Sequence, residues 1–242
     1  MMMAFELGYR HFDTAKAYGN ETDVGVAIRE SGVPREEVFV TTKLWNTDHG
    51  YDAALKAIDE SLRRLGLSYV DLYLVHWPVS GQRPETWRAM EDIYRAEKTR
   101  AIGVSNYTER HLTELLATAD IVPAVNQIEF TPYLYQRGLQ RFCESRGIRV
   151  EAWSPLTRGE RLDDPRLSTI AIRYGKTPAQ LLLRWGLQHN VIEIPKSLTP
   201  AHLAENAAIF DFTISAADMD ALDALDEGLR TGGWDPYSAQ FK

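Results

Sequence analysis

Short apolar segments rich in β-branched residues alternate with amphipathic helical stretches along the whole chain, and this alternation limits the possible fold more than any other feature. The short segments recur at a spacing on the order of 30 residues, which is the scale of a strand–helix–strand unit. Such a pattern is typical of a parallel sheet covered by helices. Seven segments are predicted as strands: residues 9–14, 38–43, 70–76, 101–106, 122–129, 148–154 and 191–197.

The stretches between these segments carry apolar residues at helical spacing. In residues 51–67 the positions on one helical face are Ala54, Leu55, Ile58, Leu62 and Leu65. Residues 84–98 and 177–190 follow the same pattern, and each has a proline near the expected helix start, where proline is favoured. The first residues, 1–7, resemble the tail of another helix.

A regular β-α alternation is compatible with an open doubly wound sheet or with a closed barrel. The open dinucleotide-binding type should carry a G-x-G-x-x-G turn after a strand, and the sequence has none. Polar or aromatic residues instead end almost every predicted strand, and in a barrel these ends converge on one face. The residues are Asp13, Lys43, His76, Ser105, Asn106, Gln127, Trp153, Ser154, Lys196 and Ser197. The sequence therefore predicts an α/β fold of the (β/α)8 TIM-barrel class.

The predicted barrel has seven strands, whereas a (β/α)8 barrel has eight. No glycine- or serine-rich linker divides the chain, so we expect one barrel domain over residues 1–242. We expect this domain to be shortened at the N-terminus, with the first strand missing. The segment 9–14 would then have an exposed edge, which invites pairing with other chains. Stability and activity should be reduced for the same reason, and the chain should be a monomer or a weak dimer.

Composition excludes several classes of protein. Lys and Arg total 27 against 34 for Asp and Glu, and the net charge of −7 is unsuited to binding nucleic acid. The single cysteine, Cys143, cannot form an internal disulfide, and in its helical context it is expected to be a buried small residue. The chain has no signal-peptide pattern and no apolar run of about 20 residues. We expect a cytoplasmic protein that binds no membrane.

Four residues at or after the predicted strand ends suit the proton transfer and charge stabilisation that reduction of a carbonyl group requires. Tyrosine is ordinarily a poor proton donor near neutral pH, but a nearby lysine ammonium stabilises the phenolate. Tyr18 could be that donor, with Lys43 beside it and Asp13 keeping the buried lysine charged. His76 could donate a hydrogen bond to the carbonyl oxygen, where negative charge develops.

No side chain can supply a hydride, so this chemistry requires a nicotinamide cofactor. Ser105 and Asn106 offer a hydroxyl and an amide that could hold a carboxamide, and Trp153 offers a flat face for the ring. Lys196 and Ser197 end the last predicted strand with an ammonium and a hydroxyl, which suit a phosphate.

Seven segments of the chain together resemble the aldo-keto reductase family. They are YRHFDTAKAYGNE, TTKLW, LYLVHWP, IGVSN, NQIEF, WSPL and IPKSLTPAHLAEN, and they occur in the order and spacing of that family. The resemblance extends from about residue 4 to about residue 230. It implies a (β/α)8 barrel that reduces carbonyl groups with NADPH. Trp153 and the short loop at 77–87 make the chain most similar to bacterial members of the diketogluconate and glyoxal reductase type.

The resemblance also implies roles for individual residues. Tyr18 would be the general acid, assisted by Lys43 and Asp13, and His76 would orient the carbonyl. Trp45 and Trp77 would line the substrate pocket. The residues implied to bind the cofactor are Ser105, Asn106, Gln127, Trp153, Ser154, Leu156, Lys196, Ser197, Thr199, His202, Glu205 and Asn206. His202 stands where NADP-specific members usually have arginine. Because histidine is only partly charged near neutral pH, NADH becomes plausible beside NADPH.

Other interpretations remain open. The chain could bind the cofactor yet be catalytically weak, with a redox-sensing role toward a partner. It could also be an unrelated barrel, an isomerase or lyase for phosphorylated sugars, although WSPLTRG is a poor phosphate loop. The scattered histidines predict no metal site. Trp87 and Trp185 are expected to be packing residues, and the pattern does not identify one substrate among small aldehydes, ketones and sugar-derived carbonyls.

Overall fold

The computed structural model describes residues 1–237, and within them seven β-strands alternate with α-helices. Every predicted strand is present. The strands are β1 (His11–Asp13), β2 (Phe39–Leu44), β3 (Leu72–Val75), β4 (Ile102–Ser105), β5 (Val125–Glu129), β6 (Arg149–Trp153) and β7 (Ile192–Glu193). The last is shorter than predicted. Ile194 still donates its backbone N–H to Ala152 at 3.3 Å, but Pro195 has no N–H with which to continue.

The helices occupy the stretches with helical periodicity. They are α1 (Met2–Glu6), α2 (Glu21–Glu30), α3 (Tyr51–Leu65), α4 (Arg83–Arg95), α5 (Glu109–Leu116), α6 (Arg137–Glu144), α7 (Pro165–Arg173), α8 (Pro178–Gln188), α9 (Pro200–Ala207) and α10 (Ala216–Asp223). Ala54, Ile58, Leu62 and Leu65 of α3 are buried, as their spacing predicts. Gly66 ends this helix with a left-handed φ of 65°, a conformation that glycine adopts without strain.

The described residues form two compact units. Unit 1 comprises Met1–Asn126 and Ser145–Ile148, together with residues 236–237. In this unit β1, β2, β3 and β4 are parallel neighbours in chain order, followed by the first residues of β5. Leu72 and Leu74 of β3 pack with Val125 of β5 in its core. The C-terminal ends of β1 to β4 therefore lie along one edge of the sheet.

Unit 2 comprises Gln127–Glu144 and Arg149–Asp235. It contains the rest of β5, then β6 and β7, which pair in parallel with Ala152 opposite Glu193. Helices α7 and α8 pack on each other, and α8 also contacts β7 and α9. The expectation of a single domain over residues 1–242 stays a prediction.

Residues expected to serve packing are buried. Trp87 and Trp185 are 4% and 1% exposed, and Cys143 in α6 is fully buried. The indole N–H of Trp87 donates to the carbonyl of Ile121, and that of Trp185 donates to Asp223. None of the helices in residues 1–237 has the length and apolarity that crossing a bilayer requires.

Candidate active site

Lys43 is the centre of the candidate site in unit 1. It lies near the C-terminal end of β2, where every residue from Val40 to Leu44 is buried, and its side chain is fully shielded from solvent. The ammonium nitrogen Nζ lies 2.5 Å from Oδ1 of Asp13 and 3.0 Å from the carbonyl oxygen of Thr14. It lies 3.4 Å from the hydroxyl of Tyr18. A buried ammonium requires such partners, because its transfer from water is otherwise very costly.

Tyr18 is placed by a short turn that follows β1. Residues Lys16–Tyr18 form one turn of 3₁₀ helix, and Gly19 reverses the chain with a φ of 68°. Nζ of Lys43 lies 5.0 Å from the centre of the tyrosine ring. The tyrosine is 53% exposed, so a molecule from solvent can reach it while the ammonium stays buried.

His76 follows β3 and completes the cluster. Its ring meets that of Tyr18 edge to face, with centroids 5.8 Å apart. Trp45 and Trp77, both half-buried, flank the same imidazole at 5.2 and 6.3 Å. Burial and, secondarily, the charge of Lys43 lower the pKa of His76 to about 3. The ring is therefore neutral at physiological pH and can donate one hydrogen bond without carrying charge.

Ser105 and Asn106 lie at the end of β4, both buried. Asn106 has a left-handed φ of 62°, which asparagine tolerates better than most residues. Its amide nitrogen donates to the carbonyl oxygen of His76 at 3.1 Å and to Oγ of Ser105 at 3.0 Å. The strand ends of unit 1 thus bring together the four residues predicted to be catalytic, both predicted substrate-pocket tryptophans and the first two predicted cofactor residues.

The other predicted cofactor residues belong to unit 2. The Gln127 side chain in β5 donates to Oε1 of Glu151 at 2.5 Å. Trp153 ends β6 and is half-buried, and a Cβ atom at Gly232 would approach its ring to 2.9 Å. Only glycine fits at position 232 without a shift of the ring. Ser154 has a φ of 53°, and Leu156 is half-buried two residues further on.

A second group in unit 2 follows β7 and continues into α9. Lys196 and Thr199 are exposed, and Oγ of Ser197 accepts a hydrogen bond from the backbone N–H of Thr199 at 3.1 Å. His202 is exposed in the first half of α9. Glu205 accepts a hydrogen bond from the Thr177 hydroxyl. Asn206 is 4% exposed, and its amide nitrogen has no hydrogen-bond partner among residues 1–237.

Sequence reasoning missed two contributors to these sites. The carbonyl oxygen of Thr14 accepts a hydrogen bond from Lys43. Because it is a backbone group, the pattern of side chains in the sequence does not reveal it. Glu151, which accepts a hydrogen bond from Gln127, does leave a signal in the sequence, because a carboxylate between apolar neighbours in a predicted strand requires a partner when it is buried. The catalytic and binding roles of the site residues stay predictions.

Comparisons with known proteins agree with this architecture. A sequence profile of the Aldo/keto reductase family matches residues 1–227. Glyoxal reductase of Bacillus subtilis (strain 168) is 52% identical over 229 residues, which cover 95% of this chain and 83% of that protein.

Solved structures have the same fold. The apo form of Gox0644 superposes with a TM-score of 0.93 at 43% identity, covering 99% of this chain and 88% of the other. An aldo-keto reductase of Bombyx mori in complex with NADP gives a TM-score of 0.90 at 40% identity, covering 95% and 82%. The fold class predicted from the sequence is confirmed, and so is the predicted resemblance. The chain is a member of the aldo/keto reductase family.

Proposed function

We propose that this chain reduces aldehydes and ketones to alcohols with NAD(P)H. Tyr18 is the proposed general acid, and Lys43, Asp13 and His76 are proposed to assist it. The observation that carries the proposal is the fully buried Lys43 ammonium between the Asp13 carboxylate and the Tyr18 hydroxyl. Membership of an oxidoreductase family, with a relative named glyoxal reductase, supports the same reaction class.

The proposed cofactor is NADPH, with NADH as a plausible second. Its reduced nicotinamide ring would supply the hydride when bound. Ser105, Asn106, Gln127 and Trp153 would hold the nicotinamide. The residues that would hold the remainder are Ser154, Leu156, Lys196, Ser197, Thr199, His202, Glu205 and Asn206. The donor set fits such a molecule, because within residues 1–237 the buried Asn206 amide nitrogen has no hydrogen-bond partner and Lys196 is exposed to solvent, where a phosphate can reach it. The silkworm relative in complex with NADP supports the assignment.

Tyr18 is proposed as the acid because His76 is a poor candidate for that role. Burial and the charge of Lys43 lower the pKa of His76 to about 3, so the imidazolium form is scarce at pH 7. A neutral imidazole can still donate a hydrogen bond to a carbonyl oxygen and stabilise the charge that develops there. The Tyr18 hydroxyl can give its proton to that oxygen and become a phenolate.

Lys43 would stabilise the phenolate that remains after proton transfer. Its ammonium already faces the Tyr18 hydroxyl at 3.4 Å, so little rearrangement is required as the negative charge forms. Asp13 offsets the cost of burying that ammonium, since an unpaired buried charge is strongly destabilising.

The aromatic surroundings of His76 favour a small carbonyl substrate. Trp45 and Trp77 present flat, half-buried faces beside the imidazole. Such walls contact planar or apolar groups without fixing one hydrogen-bonding pattern. We propose a permissive site for small aldehydes, ketones and sugar-derived carbonyls, in a cytoplasmic protein that is a monomer or a weak dimer.

Tyr18→Phe tests the proposal. We expect kcat for aldehyde reduction to fall by about 100- to 10,000-fold, because the proton donor is lost. NADPH binding, followed by quenching of tryptophan fluorescence, should be unchanged. Tyr94→Phe, at an exposed tyrosine of α4, is the matched control. Turnover by Tyr18→Phe at the wild-type rate would falsify the mechanism. NADPH binding by a wild-type chain without turnover would instead favour a cofactor-binding protein with a redox-sensing role.

A further inference from the structure

The turn that carries Tyr18 is short and largely exposed, so its position depends on side chains that anchor it. Lys16 opens this turn, and its Nζ lies 2.7 Å from Oδ2 of Asp48. Asp48 ends a second 3₁₀ turn, Asn46–Asp48, directly after Trp45. The ion pair therefore joins the turn bearing Tyr18 to the loop bearing Trp45.

The same lysine begins a longer series of alternating charges. Nζ of Lys16 is 3.7 Å from Oε2 of Glu60 in α3, and that oxygen is 3.5 Å from Nη1 of Arg64 one helical turn later. Nε of Arg64 lies 2.6 Å from Oε2 of Glu21. We call Asp48, Lys16, Glu60, Arg64 and Glu21 the charge chain.

The far end of the charge chain reaches the strand that carries the buried ammonium. Glu21 is 2% exposed, and its Oε1 accepts a hydrogen bond from Oγ1 of Thr42 at 2.7 Å. Thr42 directly precedes Lys43 in β2. Lys16 precedes Tyr18 in the sequence and Glu21 follows it. The charge chain therefore contacts the segment that carries Tyr18 on both sides of the tyrosine.

We propose that the charge chain is a positioning device for Tyr18 and that Lys16 is its key positioning residue. By tying residues 16–21 to β2 and to the Asn46–Asp48 turn, it holds the tyrosine hydroxyl beside Lys43 and at a fixed distance from Trp45. The inference rests on the proposed function, because positioning Tyr18 matters for catalysis only if Tyr18 is the general acid.

The surroundings of Lys16 distinguish this ion pair from an ordinary surface one. The side chains of Lys16 and Asp48 are 27% and 17% exposed. In the pair between Lys98, which follows α4, and Asp59 of α3, the side chains are 33% and 60% exposed. Lys16 also has two carboxylates within 4 Å, so losing it removes the cation 2.7 Å from Asp48, while Glu60 keeps only Arg64 at 3.5 Å among the contacts of the charge chain. An exposed single pair contributes little by comparison.

Lys16→Met tests the inference, since it keeps an unbranched side chain as far as the ε carbon and removes the ammonium group. We expect kcat to fall about tenfold, because small displacements of a catalytic group slow a reaction strongly. The KM for NADPH should stay within about twofold, because Lys16 is outside the residues proposed to hold the cofactor. Lys16→Arg should restore most of kcat, and Lys98→Met, which breaks the more exposed Lys98–Asp59 pair, should match wild type.

Asp48→Asn provides a second test at the other end of the ion pair and covers the case in which Lys16→Met does not fold. It should lower kcat in the same way, and the double variant should be no slower than the slower single variant, as expected for two residues acting through one contact. If both single variants behave like Lys98→Met while Tyr18→Phe is inactive, the inference is wrong and the proposed function stands. If Tyr18→Phe is fully active, the proposed mechanism is wrong, and the inference built on it is wrong as well.

Discussion

At the scale of single residues, burial governs the charge state of several histidines. His76 beside Lys43, His49 after the Asn46–Asp48 turn and His111 in α5 all have a lowered pKa, and in each case burial is the largest cause. His49 is 6% exposed, and neither ring nitrogen has a hydrogen-bond partner among residues 1–237. These residues are neutral in the folded protein at pH values where they would carry charge in the unfolded chain.

His49→Gln should therefore reduce the acid sensitivity of the fold. The pKa of His49 is lowered from 6.5 to about 4, so between these values the unfolded chain binds the proton more readily and stability falls as pH falls. Without this group, the loss of unfolding free energy between pH 7 and pH 5 should be smaller by about 2 kcal/mol. Urea titrations at the two pH values measure it. Thr47→Ala, in the same loop, is the control, and an equal loss in His49→Gln and wild type would contradict the prediction.

The sequence predicts the residues at strand ends better than the contacts made between loops. Asp13, Lys43 and His76 end neighbouring parallel strands, so topology alone brings them together. The pairing of Lys16 with Asp48 depends on the shapes of two short turns, which hydrophobic periodicity does not encode. The same is true of the burial of His49.

At the scale of elements, close approaches of helices and strands restrict particular positions. Gly25 in the middle of α2 faces the C-terminal end of α3, and a Cβ atom there would lie 1.9 Å from the carbonyl oxygen of Leu65. Because that oxygen belongs to the backbone, a side-chain rotation cannot relieve the clash. Glycine allows the two helices to pack at this distance.

Gly25→Ala should destabilise the protein although alanine favours helix formation. The gain in helix propensity is about 1 kcal/mol, whereas overpacking against backbone costs about 1 to 3 kcal/mol, and here the contact is severe. We expect a net loss of about 2 kcal/mol, measured as a shift in the urea midpoint. Thr22→Ala, on the exposed face of the same helix, should be neutral or slightly stabilising. A more stable Gly25→Ala variant would show that α2 and α3 can separate at little cost.

The sequence predicts the positions of the β-strands closely, but it predicts their lengths less accurately. All seven strands lie inside or within one residue of the predicted segments, because apolar β-branched runs mark buried parallel strands. The segment 191–197 contains only a two-residue strand, since Pro195 interrupts the ladder there.

At the scale of the whole molecule, cofactor binding should be coupled to stability. A ligand that binds only the folded state at a hundredfold excess over its Kd adds about 2.7 kcal/mol, or about 5 to 10 °C in Tm for a chain of this size. The sequence motifs made the family predictable, whereas the division into two compact units has no counterpart in composition or linkers.

His202→Arg should enlarge the Tm shift caused by NADPH and leave the shift caused by NADH nearly unchanged. Arginine presents a permanent charge and a planar set of donors to the 2′-phosphate that NADH lacks. Differential scanning fluorimetry with each cofactor at equal concentration measures the two shifts. Equal gains for both cofactors would mean that residue 202 does not face that phosphate.

The strand order of unit 1 also bears on how the chain is synthesised. Each of the pairs β1–β2, β2–β3 and β3–β4 joins residues only about 30 positions apart. During translation, each strand can therefore dock as soon as the next β-α segment leaves the ribosome, without waiting for a distant part of the chain. The nascent protein can bury its apolar strands in the order in which they are made, which limits the time they are exposed to aggregation.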